Sequence, residues 1–575
     1  LPALFGALWL LGLFAAAPVL RREENYAFVD RLRDALILGV AIPFVLGFCS
    51  LLYPVALWVA LAICVIVALR RGPSTAALRA SAQDDRLILV AVIAMIAWPA
   101  LMRPVLDGDS LSYHLPNAAA WVHAHGLWST DPRYWWYPPA SELFAAGLYA
   151  VSGPFALPWC GVGAVVLVAF RMDAWARELG ASPRNASLLA AATITMLPLM
   201  LQTATLQNDV WLAAFLMESL WAASHNEWTV AARSSAVTAL LKPYGFLFAF
   251  LAAAVTKANV RVWLAAAGAF ALWAIHDIIL WHSTVIPPGS TSYGNRFEST
   301  IIAHGLPAIG LLGWVALRTS PFVALALLVA PAGPLIATRD RAIGWAAAAT
   351  FVFYLVEPLA YYGPGPQLAN GASLRYAVPA MVLGALLLAP WLERMPMIAT
   401  VLLTLSTVFG VAQNVYIFSS DAPTLAAAAV ALLTAGAVVL SRRIGSPWPV
   451  IALVAIVVGI SSALAARQPV SYYGDALRFN GVPTGALYGW ISRKQPAIVG
   501  GWGLRLGIVN VISPRTRTID LPDAAPCETA RTKNALLVAV KEIDRDAQIN
   551  DARIRDARAC GTTIYDDGIE VVSSP

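Results

Sequence analysis

The chain has 575 residues, of which 59% are apolar and 13% charged, and its mean hydropathy is +0.67. Soluble globules carry about a quarter charged residues, so this composition excludes one and calls for a polytopic α-helical protein embedded in a lipid bilayer. The net charge of +6 carries no nucleic-acid signature, because Lys and Arg sit in short stretches between apolar runs, the positive-inside pattern that reports orientation.

Runs long enough to cross a bilayer as helices, about 17 to 25 residues, begin at once. Spans are expected at 3–20, 35–48 and 51–69, with Arg21–Arg22 and Arg70–Arg71 marking the cytoplasmic side. The first run lacks the basic start of a cleaved signal peptide, and the chain opens on Leu1 and not Met, which leaves room for preceding sequence. A span at 87–103 then delivers the loop 104–142 to the opposite face. Ala140 to Val151 reads as a helix lying along the membrane interface, broken by Ser152-Gly153-Pro154 before a span at 155–170.

Arg171, Arg177 and Arg184 mark the return to the cytoplasm, and spans at 187–203 and 210–224 are joined outside by the polar turn TLQNDV. The run 235–256 carries Lys242-Pro243-Tyr244-Gly245 in its middle. A lysine at that depth is costly unless it faces a polar cavity, and Pro with Gly breaks a helix. Two half-helices folding back are therefore expected. The next span, 262–281, leads to an outer loop holding Arg296. Three runs follow (301–317, 321–337 and 342–360), one of which must lie on the surface or fold back for the topology to close. After an outer loop 361–375, spans at 376–390, 397–415, 423–441 and 448–466 bring the total to roughly fourteen crossings.

From 467 onward polarity becomes ordinary. Short apolar runs (Ala497–Val499, Arg517–Leu521, Ala535–Val540, Thr562–Tyr565) alternate with a charged helical stretch, Asp544–Ala559, which reads as a small exported α/β domain. Cys49, Cys64 and Cys160 lie in or beside spans as packing residues, whereas Cys527 and Cys560 can pair if the tail is exported.

The loop 104–142 holds the densest chemistry: Asp107 and Asp109, His114, His123, His125, and a run of Trp and Tyr. Gly108 permits a turn that aims both aspartates at one site. An aspartate there serves as general base towards a hydroxyl if its proton affinity is modestly raised. A salt bridge to a neighbour would undo this. The plainer alternative makes Asp109 or Ser110 the N-cap of a helix starting near Leu111.

Topology brings Glu142 and Asp209 to the same face. Asp107, Asp109, Glu142 and Asp209 could then share a hydroxyl substrate or a divalent cation such as Mg or Mn. His114 either assists them or is buried and hydrogen-bonded beside Tyr113. His123 and His125, two apart on a helix, do not face one another and are discounted as a metal pair. Lys242, Arg296 and Arg375 form the complementary cationic set for an anionic group, with a snorkelling interfacial role as the alternative for Arg375.

DSLSYHLPNAAAWVHAHG followed by YPPASELFAAGLY resembles the first outer loop of the GT-C superfamily. These are polyprenyl-phosphate-sugar-dependent membrane glycosyltransferases, which include protein O-mannosyltransferases and lipid A aminoarabinose transferases. LQTATLQNDVWLAAFL, ALLKPYG and SLRYAVPAM resemble later family segments, although Leu241 stands where Thr is common. The likeness covers 87–575, with 87–466 as the membrane catalytic domain and 467–575 as the exported domain. Residues 1–86 have no counterpart and read as additional N-terminal spans.

The resemblance implies that Asp109 is the catalytic base with Asp107 beside it, and that Lys242 and Arg375, with Tyr376 next to it, bind the lipid-linked phosphate. It further implies an inverting transfer of a sugar from a polyprenyl-phosphate donor to a lipid, glycan or protein acceptor. The setting would be the outer face of a bacterial inner membrane. A transporter or lipid-handling protein, or a non-catalytic GT-C relative, are the competing readings.

Overall fold

A computed structural model describes residues 2–20, 28–70, 87–102, 105, 107–132, 134–281, 300–337, 340–357, 371–418, 486–502, 504–521, 525–540, 547–566 and 570–574. The expected spans 423–441 and 448–466, most of the loop 361–375, and Arg296 lie outside the described residues.

The principal membrane-domain helices are α1 (Pro2–Ala16), α2 (Phe28–Phe48), α3 (Pro54–Arg70), α4 (Leu87–Met102), α5 (Leu115–His123), α6 (Ala140–Ser152), α7 (Trp159–Glu178), α8 (Pro183–Ile194) and α9 (Asp209–Ser224). They continue with α10 (Trp228–Ala239), α11 (Gly245–Val255), α12 (Val260–Trp281), α13 (Gly305–Thr319), α14 (Pro321–Ile336), α15 (Arg341–Val356), α16 (Val378–Leu386) and α17 (Pro396–Phe418). A π-helical turn, Ser110–His114, precedes α5. Among the described residues, three helical stretches (Trp159–Glu178, Val260–Leu280 and Ile302–Thr319) are long and apolar enough to cross a membrane by length and composition, and seven apolar helices of 10–17 residues accompany them.

Several expected spans are broken. The run 187–203 divides at Thr195–Met196, where Pro198 opens a separate short turn, Leu197–Met200. The run 235–256 divides into α10 and α11 at Lys242-Pro243-Tyr244, as the central lysine and proline required. The fold-back is tight, because a side chain at Gly245 would strike the Thr238 carbonyl. An apolar run reports exclusion of water and not continuity of one helix, so length counting merges such pieces.

The core is continuous. Trp9, Trp121, Trp175, Trp211 and Trp273 are all buried within it, while Leu264, Leu306, Leu328, Leu335 and Met397 point outward, as lipid-facing side chains do. The N-terminal helices share this core: α2 packs on α6 and α7, and α1 packs on α3 and α6. Helix α6 has the expected bounds but does not lie along a surface. Every residue from Ala140 to Tyr149 is buried. Mean apolarity locates a helix without saying how many neighbours enclose it.

The C-terminal domain has α18 (Ala486–Lys494), β1 (Ile498–Gly501), α19 (Leu504–Ile512), β2 (Arg517–Asp520), α20 (Pro526–Thr532), β3 (Leu536–Val540), α21 (Ala547–Ala559), β4 (Thr562–Asp566) and β5 (Glu570–Ser574). The sheet runs β2-β1-β3-β5-β4, parallel across β2-β1-β3 and antiparallel beyond. Four strands and α21 stand near their expected places; β5 and the three shorter helices carry too little periodicity to be read. Cys527 and Cys560 are joined in a disulfide that ties α20 to the end of α21.

Candidate active site

Three turns on separate parts of the chain interlock. Asp107 caps the π-helical turn, its Oδ1 accepting from the Ser110 N–H at 2.9 Å and from Gln207 Nε2 at 3.1 Å. Ser110 Oγ accepts from the Leu206 N–H at 2.8 Å, so the TLQNDV turn is hooked onto the aspartate turn twice. Asn208 Nδ2 donates to the Leu241 carbonyl at 2.6 Å, and the Ala140 N–H donates to the Leu240 carbonyl at 2.8 Å. The break between α10 and α11 is thereby fixed against both other segments.

This scaffold brings two ion pairs together. Arg375 pairs with Asp109, and Lys242 pairs with Asp209 at the N-terminus of α9. Tyr376 lies between the cations: its hydroxyl accepts from Arg375 Nη2 at 2.7 Å, and its ring centroid is 4.8 Å from the Arg375 guanidinium and 5.1 Å from Lys242 Nζ. Tyr244 adds a second ring 5.5 Å from Lys242. Five of the residues expected in the site (Asp109, Arg375, Tyr376, Lys242 and Asp209) thus form one chain of contacts.

The two aspartates part company. The capping alternative belongs to Asp107 and not to Asp109 or Ser110, since Asp109 makes no side-chain cap. Gly108 is helical and without positive φ, so the turn does not depend on glycine as expected. Burial pushes the Asp107 carboxyl up, and its Oδ2 has no hydrogen-bond partner. For Asp109, burial also pushes upward, but Arg375, His114 and Lys242 together outweigh it and hold the carboxyl below the ordinary range. The expectation of a base with modestly raised proton affinity is therefore corrected, because Asp109 is already salt-bridged.

Glu142 and His114 form a separate buried pair. His114 Nδ1 and Glu142 Oε1 are 2.6 Å apart, and Ser141 Oγ donates to Glu142 Oε2 at 2.8 Å. His123 and His125 diverge: the first donates to the Pro514 carbonyl at 2.8 Å, and the second stacks on Tyr53 at 3.9 Å.

The four carboxylates that could share a divalent cation do not converge. Asp107, Asp109, Glu142 and Asp209 each serve a different partner, and no group of three His, Cys, Asp or Glu among the described residues has ligand geometry. The residues present do not fit a Mg or Mn site. The sequence offered Ser110 only as a cap and did not single out Gln207 and Asn208, for which the density of polar residues in TLQNDV was the available signal.

No protein-family model matches the chain, and no curated protein matches it. Among solved structures, it is similar to ArnT from Cupriavidus metallidurans bound to undecaprenyl phosphate. The TM-score is 0.50 at 13% identity, covering 84% of this chain and 97% of that one. The apo structure of the same protein gives 0.45 at 16% identity, covering 84% and 96%. The mostly helical polytopic membrane fold expected from composition and apolar runs is thereby borne out, as a fold like that of ArnT.

Proposed function

We propose that the protein is a membrane glycosyltransferase that moves a sugar from a polyprenyl-phosphate donor to an acceptor hydroxyl, with inversion, at the extracytoplasmic face of a bacterial inner membrane. The fold is consistent with this, and a solved structure that it resembles is that of ArnT bound to undecaprenyl phosphate. The observation that carries the reading is the juxtaposition of Lys242 and Arg375 about Tyr376, each cation held by its own carboxylate. Two cations at one aromatic ring suit a phosphate group, with guanidinium supplying paired donors and ammonium a point charge.

The reaction follows from exchange of partners. Donor phosphate takes Arg375, and Asp109 is released. The freed carboxylate accepts the proton of the acceptor hydroxyl while that oxygen forms a bond to the anomeric carbon. The bond from that carbon to the phosphate oxygen breaks, and polyprenyl phosphate leaves with the electron pair. Lys242 and Arg375 stabilise the charge that grows on the departing oxygen. A single displacement with no enzyme nucleophile inverts the centre. Lipid, glycan and protein hydroxyls all satisfy this chemistry as acceptors.

Native mass spectrometry of the protein taken from bacterial membranes tests the donor class. Co-purified polyprenyl phosphate, free or glycosylated, is expected on the wild type and is lost in Arg375→Ala. A wild type that neither carries nor takes up undecaprenyl phosphate overturns the reading. Binding retained with no transfer in any acceptor-containing membrane extract would assign the chain to a non-catalytic relative.

A further inference from the structure

The C-terminal domain reaches the loop that carries Asp109 at three places and helix α6 at a fourth. Helix α19 lies across the π-helical turn Ser110–His114. A Cβ on Gly507 would stand 2.6 Å from the Leu111 Cα and nearer still to its carbonyl oxygen, so two backbones touch with no side chain between them. Beside this contact, His123 Nε2 donates to the Pro514 carbonyl at 2.8 Å. The Tyr149 hydroxyl lies 3.1 Å from the carbonyls of both Asn510 and Pro514. Finally, the buried Asp131 carboxylate takes Arg517 at 2.6 Å, and the Asp131 carbonyl accepts from the Asp520 N–H at 2.8 Å.

A π-helical turn has poorer hydrogen-bond geometry than an α-helix and persists where its surroundings hold it. Here the turn follows directly on Asp109, which meets Arg375, and ends on His114, which meets Glu142. We infer that α19 is a positioning element for the candidate base: Gly507 sets how closely the C-terminal domain seats on Leu111, and so where Asp109 and His114 stand. The domain is then part of the catalytic unit and not a cap laid over it. The positional claim stands on geometry; its catalytic meaning rests on the proposed transfer.

The test uses the full chain in detergent, with amide hydrogen exchange resolved by peptide. Gly507→Val is expected to speed exchange at Leu111–His114 at least tenfold while β1, β2 and β3 keep their protection. Gly507→Ala is expected to give a smaller rise in the same peptide. A role confined to α19 predicts the opposite sign, since alanine stabilises a helix relative to glycine.

The double variant Tyr149→Phe/Arg517→Ala loosens the docking without touching Gly507 and is expected to raise exchange in the same segment. If Gly507→Val unfolds the domain, the double variant decides. Unchanged exchange at Leu111–His114 in the folded variants overturns the inference. Undecaprenyl phosphate titrated into Gly507→Ala is expected to bind at least as tightly as to wild type, because Lys242 and Arg375 lie on other elements and a displaced Asp109 competes less for Arg375. Should wild type itself not bind that lipid, the functional reading fails while the exchange result still stands or falls by itself.

Discussion

The guanidinium of Arg375 closes on the carboxylate of Asp109, joining the segment ahead of α16 to the turn ahead of α5. Both side chains are partly exposed, at 23% and 33%, so solvent screens the pair and its contribution to stability is about 1 kcal/mol or less. On the proposed reading its weight is functional. An anion that claims Arg375 must first displace a carboxylate, and the displaced carboxylate becomes free to take a proton.

Asp109→Asn should therefore separate binding from chemistry. Freeing Arg375 is expected to tighten undecaprenyl phosphate binding by about threefold to tenfold, while loss of the base lowers sugar transfer by about 10²–10⁴-fold. Lipid titration and a radiolabelled transfer assay read the two effects. Weaker binding with normal transfer would reduce Asp109 to an anchor for Arg375.

Lys242 and Asp209 are both buried, so removing one partner strands the other. Lys242→Ala is expected to cost about 3–5 kcal/mol of stability and to weaken phosphate binding at least tenfold. Adding Asp209→Asn should recover most of the thermal stability and none of the binding. Recovery of binding in the double variant would remove Lys242 from the phosphate site.

A second buried network binds α2 to α7 and α9. Arg33 reaches Asp30, Asp34 and Glu218, and Arg171 reaches Glu218 at 2.7 Å and Asp30 at 2.7 Å with its guanidinium 3.7 Å from the Trp221 ring centroid. Arg171→Met leaves Glu218 and Asp30 short of a buried cation and is expected to destabilise by about 3–5 kcal/mol. By the same logic, a chain begun at residue 87 should not give a monodisperse folded protein. A stable truncated chain in size-exclusion chromatography would show the N-terminal helices to be dispensable.

The disulfide between Cys527 and Cys560 closes a loop with a sequence separation of 33 residues. Chain-entropy arguments give such a link about 3–4 kcal/mol. Cys527→Ser/Cys560→Ser is expected to lower the melting temperature of the C-terminal domain without changing undecaprenyl phosphate binding. Thermal unfolding followed in peptides of the C-terminal domain checks this.

By itself, the sequence determined the solvent. Apolar runs, sparse charge and basic punctuation dictate a polytopic helical protein, and Lys242-Pro243 in an apolar run dictates a broken helix, because neither survives inside continuous hydrocarbon. It also offered Asp107, Asp109, Glu142, Asp209 and His114 on one side and Lys242 and Arg375 on the other as residue types suited to one chemistry. Tertiary structure decided the pairing. Charge attracts any opposite charge within reach, and reach is a matter of how distant turns interlock through Leu206, Gln207, Asn208 and Ala140. That is why Asp107 proved to be the cap and Asp109 the partner of Arg375, why four carboxylates expected to meet were divided among four partners, and why a glycine in the C-terminal domain came to rest on Leu111.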